Sequence, residues 1–130
     1  TGVQTCALPI LQSLLERFGN NLPGMPALRV ALDELAKEIA GHGVFNMMLS
    51  DGSALFAHCS TRLHYLVRQY PFTQARLSDQ DLSVDFSEVT TPNDRVALIV
   101  TEPLTTNETW HAFEANELKV FVDGAPLPRA

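Results

Sequence analysis

The side chains of this 130-residue sequence best suited to nucleophilic or metal chemistry are two cysteines, Cys6 and Cys59, and four histidines, His42, His58, His64 and His111. A thiol reacts as the thiolate, which forms at neutral pH only beside a base or a positive charge. Cys59 ends the apolar run 55–59, and its neighbour His58 points to the opposite face of an extended strand. Cys59 therefore reads as inert packing, and His58 as a core or half-buried histidine facing Phe45. No two histidines stand at the short helical spacing of a zinc site, so no metal is expected. Asp79, Asp81, Asp85 and Glu88 form an acidic stretch. Paired carboxylates do acid–base work in some enzymes, but a solvated face is their commoner use. There is no Gly-rich phosphate loop and no Gly-x-Ser-x-Gly. Two further segments, 90–94 and 102–110, are dense in groups that bond backbone. The second reads first as a well-capped loop with Trp110 as its anchor. If it serves a site, Asn107 and Trp110 are the candidate binding residues.

These residues need elements to position them. Leu11, Leu14, Leu15 and Phe18 repeat at helical spacing and Gly19 follows as a stop, which reads as the tail of a longer helix. Pro26 suits the first turn of a second helix, with Leu28, Leu32, Leu35 and Ile39 as its apolar stripe and Gly41 at its end. From Val44 the period changes to that of strands. Asp51-Gly52 supplies the positive φ angles of a two-residue type I′ turn, pairing Ser50 with Ser53 and Met48 with Leu55. Both faces of this hairpin are mostly apolar, so both must be covered. Residues 61–70 read as a third strand and 73–86 as short strand-like pieces. The continuous apolar run 96–100 reads as a central buried strand, and 118–122 as a final one. Helix, helix and about six strands make an α+β domain. The hairpin is expected to share a sheet with residues 96–100, with the helix over 26–40 packed on one face.

Composition narrows the classes. Hydrophobic residues make up 45% of the chain, enough for one domain with a real core. Nine basic against fifteen acidic residues give a net charge of -6, and no Lys/Arg stripe offers a nucleic-acid surface. No apolar run approaches the roughly 20 residues that span a bilayer, so no membrane partner is expected. Two cysteines are too few for a disulfide scaffold, and a cytoplasmic location is the expectation. Residues 1–10 match, codon by codon, the translation of a common sequencing-library adapter. They are therefore expected to be an artefact lying outside the domain of residues 11–130, and to lack dense contacts with it.

The run 44–52, Val-Phe-Asn-Met-Met-Leu-Ser-Asp-Gly, resembles a hairpin of class II glutamine amidotransferases of the small stand-alone type. Cys59-Ser60-Thr61, Leu63, Arg68 and Pro71-Phe72 continue the resemblance. Asp85-Phe86, residues 90–94, 96–101 and 103–105, Asn107-Glu108 and Trp110 complete it in order. The resemblance implies an N-terminal-nucleophile hydrolase fold, a four-layer αββα sandwich, here truncated at its N-terminal side. It implies glutamine as the substrate of the parent enzyme, with no cofactor. A free N-terminal Cys would attack the side-chain amide and an Asn-Gly pair would line the oxyanion site. Neither occurs in this sequence, so no catalytic residue is carried over. The chain is expected to be the later part of such a domain, inactive alone, its partner being the missing N-terminal half. The competing readings are a non-catalytic α+β binding module, and a related amide hydrolase acting on γ-glutamyl groups.

Overall fold

A computed structural model describes residues 4–21, 23–69, 74–76, 83–85 and 94–128. Helix α1 spans Gln4–Phe18 and α2 spans Met25–Ala40. Gly19 closes α1 in the left-handed region at φ 63°, its N–H donating to Leu15 O at 2.7 Å. Pro26 stands in the first turn of α2, where a missing N–H leaves no bond unmade. Of the expected stripe of α2, Leu28 and Leu32 are buried and Ile39 packs partly against the core, whereas Leu35 is only partly buried and Ala36 takes the core position beside it. An exposed ion pair, Arg17 to Glu34 at 3.1 Å, joins the two helices.

The expectation of an unsupported N-terminus does not hold at Ile10. Helix α1 runs through it and continues upstream of Leu11, and Ile10 is 4% exposed within the core. The reason is helical geometry. Ile10 lies one turn before Leu14, so both meet the same surface. The side chains of Val3 and Cys6 lie outside the described residues.

Strands β1 (Met47–Ser50), β2 (Leu55–Cys59), β3 (His64–Gln69), β4 (Gln74–Arg76), β5 (Ser83–Asp85), β6 (Arg95–Val100), β7 (His111–Ala112), β8 (Glu117–Val122) and β9 (Ala125–Pro126) follow. All their pairings are antiparallel. The first sheet has the order β1-β2-β8-β9 and the second β6-β3-β7, while β4 and β5 pair with each other. One core lies between the helices and the first sheet, built on Ile10, Leu28, Leu32, Phe45, Phe56 and Val120. A second lies between the two sheets, where Ala57, Cys59, Leu63, Phe113 and Phe121 meet Tyr65, Ala97 and Ile99. The molecule is α+β, layered as helices, sheet, sheet; β2 is covered on both faces, whereas Met48 of β1, on the face away from the helices, is 57% exposed.

Two strand expectations are corrected. Met47 pairs with His58 and Ser50 with Leu55, a register two residues from that of a type I′ turn. Asp51 causes the shift. Its Oδ1 accepts from the backbone N–H groups of Ser53 and Ala54 and from Ser53 Oγ, each at 2.9 Å, so four residues make the loop instead of two. An even shift leaves every side chain on the face expected for it. Second, the run 96–100 is not in the hairpin's sheet. It forms β6, at the end of the second sheet among the described residues, and Val96 is 48% exposed. Its other face packs on the first sheet through Ala97 and Ile99.

Candidate functional site

Strand β3 is flanked by β6 on one side and β7 on the other, so the connection from Val100 to His111 must cross it. Alternation places Tyr65 on the inter-sheet face, and Leu66 and Arg68 on the outer face. The crossing segment, a strap over residues 101–110, is fixed there by side chains. Arg68 grips Glu108 with two parallel bonds, Nε to Oε2 at 2.8 Å and Nη2 to Oε1 at 2.7 Å. Thr105 Oγ1 donates to Glu108 Oε1 at 2.7 Å and accepts from Trp110 Nε1 at 3.0 Å. Thr105 is 4% exposed, and both members of the ion pair are largely withdrawn from water. The Arg68 guanidinium holds the Glu108 carboxyl below the usual carboxylate range, with the Thr105 hydroxyl adding to the effect. At the start of the strap, His64 Nδ1 lies 3.1 Å from Thr101 O.

The two sequence-designated binding residues thus have different surroundings. Trp110 is half-buried with its indole N–H inside the network, while Asn107 lies exposed on the strap. The Arg68–Glu108 pair was not legible in sequence. Its members stand 40 residues apart and form no local pattern. An arginine on the same face as the buried Leu66 was the available signal.

The remaining candidates are not brought together. Cys59 is fully buried, and its thiol is pushed up, first by burial and then by the Glu117 carboxylate. His58 is also fully buried, its ring centroid 6.1 Å from that of Phe45, and neither ring nitrogen has a hydrogen-bond partner. Burial keeps it neutral by lowering its pKa. Asp33 opposes that shift and Lys37 reinforces it. Among the described residues, no three of His, Cys, Asp and Glu gather as a metal site would need. Asp79, Asp81, Glu88 and residues 90–93 lie outside the described residues, and Asp85 is described only as part of β5. A cavity of about 570 Å³ lies between α2 and the turn before β8, with Arg29, Asp33, Lys37, Glu114 and Glu117 in its wall. It carries charges of both signs and no nucleophile.

Comparison with known proteins supplies what this geometry alone does not. Residues 3–129 match the family described as "Glutamine amidotransferases class-II". An Escherichia coli (strain K12) protein named "Putative glutamine amidotransferase YafJ" is 45% identical over 115 residues, covering 88% of this chain and 45% of that protein. A Haemophilus influenzae protein named "Putative glutamine amidotransferase" is 43% identical over 97 residues, 75% of this chain and 33% of that one. A 2.0 Å crystal structure described as a "predicted glutamine amidotransferase" from Pseudomonas aeruginosa PA01 superposes with a TM-score of 0.77 at 40% identity. It covers 92% of this chain and 47% of its own. The chain thus spans about half the length, or less, of these relatives. It shares their sequence and their fold, and it belongs to the class II glutamine amidotransferase family.

Proposed function

We propose that this chain is the C-terminal part, residues 11–130, of a glutamine-hydrolysing domain whose catalytic residues lie in the other half. One observation carries the reading. The family match extends over residues 3–129, yet the described residues hold no competent nucleophile. Cys59 is buried with a raised pKa, and the sequence contains no Asn-Gly. In the parent reaction an N-terminal Cys thiolate adds to the side-chain amide carbon of glutamine, its own α-amine acting as base. Ammonia leaves, and water then releases glutamate from the thioester. Oxyanion donors stabilise the negative oxygen in both steps. The upstream half would also supply the missing layer of an N-terminal-nucleophile hydrolase sandwich. Asn107 stands on the exposed part of the strap and Trp110 at its root, and in this reading they border the substrate side. The first ten residues are read as an adapter translation, of which residues 4–10 lie in α1. Among the described residues no helix is long and apolar enough to cross a membrane, and the reading places the parent enzyme in the cytoplasm.

The test is ammonia release. The 130-residue chain should hydrolyse no glutamine, since losing even one oxyanion donor costs about 100- to 1,000-fold in rate. Fusing the upstream half of the E. coli relative ahead of Leu11 should restore turnover. Robust turnover by the chain alone that disappears in Cys59→Ser would overturn the proposal.

A further inference from the structure

Strand β1 ends the first sheet, and among the described residues nothing pairs with its outer edge. Asp51 N–H donates to Ala54 O at 3.4 Å, which fixes the phase of the ladder. Met47 and Leu49 direct their backbone groups to β2, so those of Met48 and Ser50 point outward. The second sheet does not reach this strand. Its β6 lies by the turn before β9, with Arg95 Nε donating to Asp123 O at 2.7 Å. Its β3 lies over β8, where the Tyr65 ring centroid is 5.6 Å from that of Phe121 and 5.3 Å from Lys119 Nζ. The inter-sheet core takes Ala57 and Cys59 from β2 and no residue from β1. Met48 shows the result. It occupies the same face as its partner Ala57, which is 0% exposed, yet it is 57% exposed itself. On the second sheet, the strand beyond β3 on the side away from β6 is β7, only two residues long and exposed.

An edge that stays bare in a folded protein is usually blunted by charge, proline or a bulge. Residues 44–50 contain no charged residue and no proline, and Val44 is also exposed. Outward N–H and C=O groups at strand spacing select an extended strand as occupant. The solved relative superposes on 92% of this chain through only 47% of its own, so it has about as much polypeptide again. We infer that the β1 edge is a strand-addition site for the upstream half of the same domain, which pairs with Met48 and Ser50 and closes the sandwich over the Met48 side chain. This rests on the fragment reading above and adds the place where the two halves join.

Amide exchange in the Leu11 fusion tests it without any assay of activity. The Met48 and Ser50 amides should exchange freely in the 130-residue chain and at least about 100-fold more slowly in the fusion. Met48→Pro removes an outward N–H and a side chain that is 57% exposed in the 130-residue chain, so it should leave the melting temperature of that chain nearly unchanged and lower that of the fusion by about 5 °C or more. Equal exchange in the two proteins, or equal melting shifts, would overturn the inference. Protection already present in the 130-residue chain and rising with its concentration would assign the edge to a second copy, and would overturn it too. Protection in the fusion without glutamine hydrolysis would leave the docking site standing and remove the catalytic reading. Turnover with both amides still open would do the reverse.

Discussion

At Cys59, burial and the Glu117 carboxylate act in the same direction, and both make the thiolate scarcer at neutral pH than in a free cysteine. Iodoacetamide at neutral pH should therefore label Cys59 only after unfolding, which mass spectrometry with and without denaturant will show. His58 gives a pH dependence of definite sign. Its folded pKa lies below the ordinary value of about 6.5, so the unfolded chain binds the proton first. Stability should be complete above about pH 6.5 and fall as the pH drops from there toward the lowered value. Urea titrations at pH 7.5 and 5.5 measure this, and the part due to His58 should vanish in His58→Leu. Glu108 has a depressed pKa as well, so its contribution persists above the usual carboxylate range and is lost only as pH falls through the lowered value. Glu108→Ala should cost about 2 kcal/mol, because it removes two charge-assisted hydrogen bonds from the largely buried Arg68 guanidinium. The exposed Lys37–Asp33 pair on α2 should be worth only about 0.5 kcal/mol by the same titration of Asp33→Ala. Cys59 and His58 were legible in the sequence because strand alternation and apolar neighbours determine burial locally. Arg68 and Glu108 were not, because their meeting depends on how the strap crosses β3.

The strands divide along the same line. Hairpin faces follow from a period of two, so they were readable before the register was known. The register itself was misread because a side chain, Asp51, supplies the acceptor that a two-residue turn would take from backbone. The sheet to which residues 96–100 belong was unreadable for another reason. An apolar run announces burial but not the partner that buries it. Two glycines separate conformational strain from steric fit. Gly52 at φ 95° and Gly124 at φ 76° both lie where side chains are disfavoured. A methyl group on Gly52 would meet nothing within 4 Å, whereas one on Gly124 would stand 2.6 Å from Arg95 O. Gly52→Ala should cost about 1 kcal/mol of backbone strain. Gly124→Ala should cost clearly more, because the backbones of β6 and the β8–β9 turn must also separate, and chemical denaturation of the two variants gives the comparison.

For the molecule as a whole, layering explains why the α+β class was readable from pattern while the assignment of each strand to one of two sheets was not. Composition demands cover on both faces of the hairpin, and either a helix or a sheet can provide it. Here α2 covers one face of β2 and β3 with β6 the other, while the Met48 face of β1 stays open. Strand β8 joins the layers, contributing Val120 to the helical core and Phe121 to the inter-sheet core, and it sits between β2 and β9. That position has a consequence in time. Cys59 pairs with Glu117, so at roughly 10 residues per second the ribosome extends the chain for about six seconds between the two. Throughout that interval β2 has β1 on one side and a vacant ladder on the other, and neither core can close. A nascent chain arrested before residue 117 should remain protease-sensitive and bound to a holdase chaperone, and one arrested with residue 128 clear of the exit tunnel should be released. Closure of both cores therefore waits on residues 117–122, long after the hairpin they complete has been made.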